Sequence, residues 1–286
     1  MKLISYKYAG RESWGAVVND QVVDLSGVTG IASLAEFVGS PQFSNRDALV
    51  AAQTPTVAFS AVELLPVIPK PEKIVCAVRN YMDHHHEAVA AGLKVELSTE
   101  PPIFLRVWRS QCAHNAPIVR PKVSESLDWE GELAVIIGIG GRNIPESQAY
   151  EHVAGYSCYN DGSVREWQFH AKQIAAGKNF ESTGGFGPWL VTADEIDPTR
   201  KLKLEVRLNG EVVQSGDTGQ MIFSTAKLIS YASTIFTLAS GDVIIRGTPS
   251  GVGFSRKPPR FMKAGDVCEV EIEGIGLLRN PIVDQD

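Results

Sequence analysis

The chain has 286 residues, 44% of them hydrophobic and 21% charged, which is the composition of a globular protein with a substantial core and excludes disorder as the default. Net charge is −6 and no block of Lys and Arg stands out, so a nucleic-acid partner, which needs a basic stripe, is set aside. The four cysteines are scattered without a CxxC spacing, which points to reduced thiols rather than a zinc ribbon or a disulfide framework.

In chain order, "KLISYKY" and "SWGAVVNDQVVDL" read as short strands with Asn19-Asp20 at a hairpin turn. "SLAEFVG" and "NRDALVAAQ" read as short helices, with Ser33 and Asn45 as N-caps. "LLPVIPKPEKI" has the composition of a linker or crossover, which puts a boundary near residue 70: a small N-terminal domain over 1–70 and a larger one over 71–286. The opening residues are too charged for a signal peptide, and no run reaches the length of a membrane span, so the expectation is a soluble, cytoplasmic protein without membrane contact.

Beyond residue 70 the pattern is strand-rich. "KIVCAV", "PIFLRVW", "ELAVIIG", "KLKLEVRLNGEVVQ", "DVIIRG" and "DVCEVEIEGIGLLRNPIV" carry β-type runs, with Asn209-Gly210 at a second hairpin turn. Helical pattern is confined to "YMDHHHEAVAAG", "PESQAYEHVA", "SVREWQFHAKQIA" and "STAKLISYASTIFTL". Without βαβ alternation or a phosphate-binding glycine motif, the reading is an α+β domain built on mixed β layers.

The chemistry-bearing signal begins in "LDWEGELAVIIG". Leu133 to Ile137 read as a strand covered on both faces, yet Glu130 and Glu132 stand just upstream at i and i+2, on one side of that strand. An exposed E-x-E with both carboxylates solvated is the ordinary outcome. If the pair is buried, two like charges roughly 7 Å apart cost about 2 kcal/mol at an effective dielectric near 20, and either one carboxyl keeps its proton or a hard cation such as Mg²⁺ or Mn²⁺ sits between them. Asp161, at the end of a strand-like segment and followed by Gly162, is the candidate third oxygen ligand; taken singly it reads as a helix N-cap. In "RNYMDHHHEA" three successive histidines diverge by about 100° each on a helix and cannot share one ion. The useful pair is His84 and Glu87, at i and i+3, in which the carboxylate orients and activates the imidazole as a general base; an exposed i,i+3 pair is the alternative. Lys178 in a glycine-rich loop could reach an oxyanion, and Thr248 in "RGTPSGVG" could hold a carboxylate or carbonyl.

Together and in this order, "NYMDHHHE", "PIFLR", "PIVRP", "LDWEGELAVIIG", "GYSCYNDGSVREWQ", "GKNFESTGGFGPW", "NGEVVQSGDTGQMIF", "GDVIIRGTPSGVG" and "GDVCEVEIEGIGLLRN" resemble the fumarylacetoacetate hydrolase family from about residue 71 to the C-terminus. The resemblance implies a mixed β-roll or sandwich, a homodimer, and a small variable N-terminal domain. It also implies that Glu130, Glu132 and Asp161 hold Mg²⁺ or Mn²⁺ (with Ca²⁺ as a substitute), that His84 and Glu87 activate a water, and that Arg165, Gln168, Lys178 and Thr248 contact a small anionic oxo-acid. Arg106 stands where the family often has lysine, and Arg246 where threonine is common; Arg79 and Arg246 join the expected substrate contacts as extra positive charge. The expected reaction is hydrolysis of a carbon–carbon bond in an acylpyruvate-type β-diketo acid. The alternatives are decarboxylation, isomerisation or tautomerisation of oxaloacetate-like or unsaturated diacids on the same enolate, and, more remotely, a binding protein that keeps a metal site without catalysis.

Overall fold

A computed structural model describes residues 1–55 and 57–286. Two sheets dominate it. The larger runs, in spatial order, through Val57–Ala58, Gln21–Asp24, Arg11–Val18, Lys2–Tyr8, Gly184–Thr192, Val153–Asn160, Gly131–Ile137, Val243–Ile245, Ile74–Ala77 and Ile103–Arg106. The smaller runs through Glu211–Asp217, Lys203–Leu208, Val267–Ile272, Gly276–Asp284 and Ile118–Arg120. Most pairings are antiparallel, but Val243–Ile245 runs parallel to Ile74–Ala77, and Gly276–Asp284 parallel to Ile118–Arg120. The arrangement is mixed α+β, as the strand-rich pattern predicts.

Both two-residue turns form as their sequences require. Asn19 and Asp20 have φ of 50° and 58°, and Asn209 and Gly210 have φ of 54° and 81°, the left-handed pairs that suit a tight hairpin between twisted strands. Ser33 caps helix Leu34–Val38 by accepting from the Glu36 N–H, whereas Asn45 precedes helix Arg46–Ala51 without a side-chain cap bond. Two segments with helical pattern are reshaped: Glu146–His152 is a 3₁₀ helix, and "SVREWQFHAKQIA" divides into a short α-turn, Arg165–Gln168, and a 3₁₀ turn, Ile174–Lys178. Gly177 explains the second case, since a Cβ there would lie 2.5 Å from the Gln168 backbone nitrogen; the two turns are pressed together rather than strung in line.

The first 70 residues are stitched into the main sheet. Lys2 and Leu3 pair with Val191 and Leu190, and the N-terminal ammonium donates to Thr192 Oγ1 at 2.7 Å. The proline-rich stretch acts as a crossover, with Val67 and Ile68 fully buried and the Leu65 N–H bonded to the Ser5 carbonyl.

Strand Gly131–Ile137 is the axis of the molecule and all seven of its residues are buried. Leu133, Val135 and Ile137 face Leu204, Val206 and Val270 of the smaller sheet, while Ala134 and Ile136 face Phe37, Val38 and Ile68 on the opposite side. Gly131 lets the two sheets close, because a Cβ there would lie 2.2 Å from Val206 Cγ2. The even-numbered face is thus covered by the N-terminal helices at one end and opens into the site at the other, where Glu132 and Glu130 extend the same row. Ile136→Ala should cost about 2–5 kcal/mol of stability, read as a lowered urea midpoint at constant slope; an unchanged midpoint would contradict the central place given to this strand.

Candidate active site

Glu130, Glu132 and Asp161 converge. One oxygen from each carboxylate lies within 4.8 Å of the others, and all three side chains are buried. The strand supplies two of them at i and i+2. Antiparallel pairing of Gly131 with Asn160 brings the end of the neighbouring strand alongside, and the Asp161 N–H donates to the Glu130 carbonyl at 2.8 Å. Asp161 is therefore not a helix cap, since the next helix begins four residues later.

Three cations hold the cluster from behind and from the side. Lys178, 2% exposed, places Nζ 2.8 Å from Glu130 Oε2 and 2.6 Å from Asp161 Oδ2, beside the ring of Phe104. Arg106 donates from Nη1 to Asp161 Oδ1 at 2.5 Å and from Nη2 to Thr183 Oγ1 at 3.0 Å. Arg165 reaches Glu130 Oε1 at 2.7 Å and Asp128 Oδ2 at 2.8 Å, and Ser163 Oγ also donates to Glu130 Oε1. Burial alone would raise the Glu130 carboxyl; Lys178 and Arg165 outweigh it and hold it at about 2. Burial raises Glu132 too, and the Asp161 and Glu130 charges raise it further, well above the usual carboxylate range. Among the described residues Glu132 has no ion-pair partner, only the Gly247 N–H, which donates to Oε2. One carboxylate of three is thus left without a counter-charge. An all-oxygen donor set in which one carboxyl has no cationic partner among the described residues, and gives up its raised proton only to a cation, fits a hard divalent ion.

The dyad faces the same space. Helix Met82–Ala90 carries His84 and Glu87 on one side, with Nδ1 of His84 2.9 Å from Glu87 Oε2. The other Glu87 oxygen accepts from the Gly251 N–H at 2.9 Å and from Ser255 Oγ. His85 turns into the protein and His86 outward, so the three histidines do not meet. Dyad and triad line one cavity. Its polar lining includes Arg79, Gln168 and Thr248 as well as the triad, the dyad, Arg165 and Lys178, and its less buried apolar lining includes Leu93, Phe169, Ile174 and Phe254.

The expected substrate contacts divide. Arg79, at φ 47°, makes no hydrogen bond or ion pair with any described residue and is free to meet an anion. Gln168 gives its carbonyl oxygen to Arg165 and leaves its amide N–H groups free of described partners. Arg165 is committed to Asp128 and Glu130, and Thr248 donates its hydroxyl to the Gly131 carbonyl at 2.9 Å, so both brace the site. Arg246 is not in the cavity at all. The positive φ of Gly247, 93°, breaks the strand alternation, so Thr248 faces the site while Arg246 lines a separate pocket with Tyr150 and Tyr156.

Two residues inside the quoted motifs, to which the sequence reading assigns no role, hold the parts together. Asp128, fully buried, accepts from the N–H groups of Gly253 and Phe254 as well as from Arg165, tying the 251–255 loop to the triad. Asn80, also fully buried, donates to the carbonyls of Phe223 and Arg246, both at 2.9 Å, and so fixes the start of the dyad helix against the turn that holds Glu132. A buried Asp beside Trp129, and an Asn just ahead of the helix, are weak signals that gain meaning only from their distant partners.

The family model described as fumarylacetoacetate hydrolase, C-terminal, matches residues 73–283. Over 226 residues the chain is 44% identical to a Xenopus laevis protein named oxaloacetate tautomerase fahd2, mitochondrial, covering 78% of this chain and 69% of that protein. Among solved structures, a fumarylacetoacetate hydrolase from Exiguobacterium antarcticum superposes with a TM-score of 0.80 at 33% identity over the whole of both chains. The 2-hydroxyhepta-2,4-diene-1,7-dioate isomerase from Mycobacterium marinum does so with a TM-score of 0.75 at 27% identity, covering 100% of this chain and 99% of that one.

Two outcomes follow from this geometry. Mg²⁺ or Mn²⁺ should raise the melting temperature of the wild type by several degrees and leave Glu132→Gln unmoved; an equal rise in both would remove the metal role. Glu87 makes stability depend on pH. Burial would raise its carboxyl, but hydrogen bonds from His84, Ser255 and Gly251 outweigh it and hold it below 4.5. A lowered carboxyl stabilises the fold above its ordinary value, and that stability is lost as pH falls through the lower, folded value. Glu87→Gln should therefore be less stable than wild type at neutral pH, with the gap closing in acid; a gap independent of pH would contradict this.

Proposed function

The chain belongs to the fumarylacetoacetate hydrolase family, and from that premise we propose that it interconverts the keto and enol forms of a small 2-oxo diacid of the oxaloacetate kind. The observation that carries this is the placement of a proton-transfer dyad and a three-carboxylate cluster on one cavity. Carbon–carbon hydrolysis, the first expectation from the sequence, needs the same groups. The balance moves to its alternative because the Xenopus relative is named an oxaloacetate tautomerase and the Mycobacterium marinum neighbour an isomerase.

Mg²⁺ or Mn²⁺ held by Glu130, Glu132 and Asp161 would polarise the 2-oxo group and make the neighbouring C–H more acidic. His84 moves the proton. With Nδ1–H donated to Glu87, Nε2 is left as the base that takes the proton from carbon, and the resulting imidazolium returns it to the oxygen. No atom is gained or lost, and no attacking water is required. Lys178 stands beside the triad and stabilises negative charge as it develops on that oxygen. Arg79 and the Gln168 amide receive the distal carboxylate, and the apolar lining residues Leu93, Phe169, Ile174 and Phe254 limit water around it.

His84→Ala should lower the rate of oxaloacetate keto–enol exchange by about 10²–10⁴-fold. Arg79→Met should raise KM for the diacid about tenfold or more with a smaller effect on kcat. Deuterium incorporation at C3, followed by NMR with oxaloacetate, an acylpyruvate and an unsaturated diacid in parallel, tests the reading. Rapid exchange without cleavage supports it. Stoichiometric cleavage of the acylpyruvate, or loss of carbon dioxide from oxaloacetate at a rate unaffected by His84→Ala, would replace it with hydrolysis or decarboxylation.

A further inference from the structure

A buried amide joins the smaller sheet to the triad, and the chemistry above gives it no part. Gln214, on strand Glu211–Asp217, is 2% exposed. Its Oε1 accepts from the N–H of Gly131, the residue between Glu130 and Glu132, at 3.0 Å. Its Nε2 donates to Thr248 Oγ1 at 2.9 Å and to the Pro249 carbonyl at 2.7 Å. Turning the amide over would set its N–H groups against the Gly131 N–H and its oxygen against the Pro249 carbonyl, so its orientation is fixed.

The Thr248 hydroxyl inherits this polarity. An amide N–H cannot accept, so the Thr248 proton goes to its other partner, the Gly131 carbonyl, at 2.9 Å. Gly131, Gln214 and Thr248 thus close a ring in which every bond runs one way. A hydroxyl oxygen has two lone pairs; Gln214 takes one and leaves one. Thr248 lines the main cavity, beside the Gly247 N–H that holds Glu132. We propose that Gln214 is a positioning residue that makes Thr248 an acceptor-only contact, so that this wall of the cavity selects a ligand O–H and disfavours a bare carboxylate oxygen. This reverses the carboxylate contact expected of Thr248 from the sequence. On the keto–enol reading above, on which this step rests, the O–H formed when the imidazolium returns its proton is such a donor and the keto oxygen is not. Thr248 therefore favours the enol in the cavity.

Titration calorimetry of the full chain in Mn²⁺, with malate, which carries an O–H at C2, and oxalate, which carries none, tests this. Thr248→Val keeps the side-chain shape and removes the hydroxyl; it should weaken malate about fivefold or more and leave oxalate within about twofold. Thr248→Ser should restore malate binding. Gln214→Met releases the Thr248 proton to turn into the cavity, and should narrow the malate-to-oxalate ratio of the wild type about threefold or more. A merely structural role for either residue would weaken both ligands alike. Equal losses of malate and oxalate in Thr248→Val, an unchanged ratio in Gln214→Met, or a wild type that binds oxalate but not malate overturns the proposal. If Gln214→Met does not fold, the Thr248 pair decides. Failure of oxaloacetate exchange in the wild type, with the malate–oxalate difference intact, overturns the keto–enol reading and supports the polarity assigned to Thr248.

Discussion

Mutual repulsion among three buried carboxylates is the constraint around which this protein is organised. At separations within 4.8 Å each pair of full charges costs about 3 kcal/mol even at an effective dielectric near 20. The fold answers with a buried lysine and two buried arginines, and the answer is incomplete: among the described residues Glu130 and Asp161 receive cations, Glu132 only an N–H group. A folded chain keeps such an imbalance where a ligand resolves it. Strand Gly131–Ile137, closed on both faces, makes the imbalance rigid, because the glutamates cannot swing apart without moving an interior strand of the larger sheet.

The dyad is coupled to this cluster by polar tethers rather than by contact. Asn80 links the start of its helix to the carbonyl of Arg246, Gly251 and Ser255 grip Glu87, and Asp128 pins the loop that carries them. Each tether is a buried hydrogen bond whose loss leaves its partner unsatisfied. Imidazole and triad are thus held across a cavity whose other polar groups are largely spoken for, while the Arg79 guanidinium and the Gln168 amide N–H groups have no hydrogen-bond partner among the described residues.

Much of the site is legible in the sequence because it obeys local periodicity. Two glutamates at i and i+2 before an apolar run point together, and His84 with Glu87 share one helix face. Both Asn-containing hairpin turns and the Ser33 cap follow from the same kind of local chemistry. What escapes is set by distant partners or by a single backbone angle. Arg165 and Thr248 read as substrate contacts, but their hydrogen bonds are taken up by residues far along the chain. Arg246 sits two residues before Thr248 and would share its side in a regular strand, yet the Gly247 conformation sends it to another cavity. The stitching of the first 70 residues into the main sheet depends on pairs as distant in sequence as Lys2 and Val191 and leaves no local mark. Reaction type is the least legible feature, since hydrolysis, decarboxylation and tautomerisation draw on one set of groups and differ in what happens after the enolate forms.

The account rests on a divalent ion completing the charge balance that Lys178, Arg106 and Arg165 leave unfinished. Anomalous diffraction at the manganese edge, from crystals grown with Mn²⁺, measures this directly. A single strong peak about 2.1 Å from carboxylate oxygens of Glu130, Glu132 and Asp161 is the predicted result. Crystals that contain Mn²⁺ elsewhere but show no density between these three side chains would contradict it.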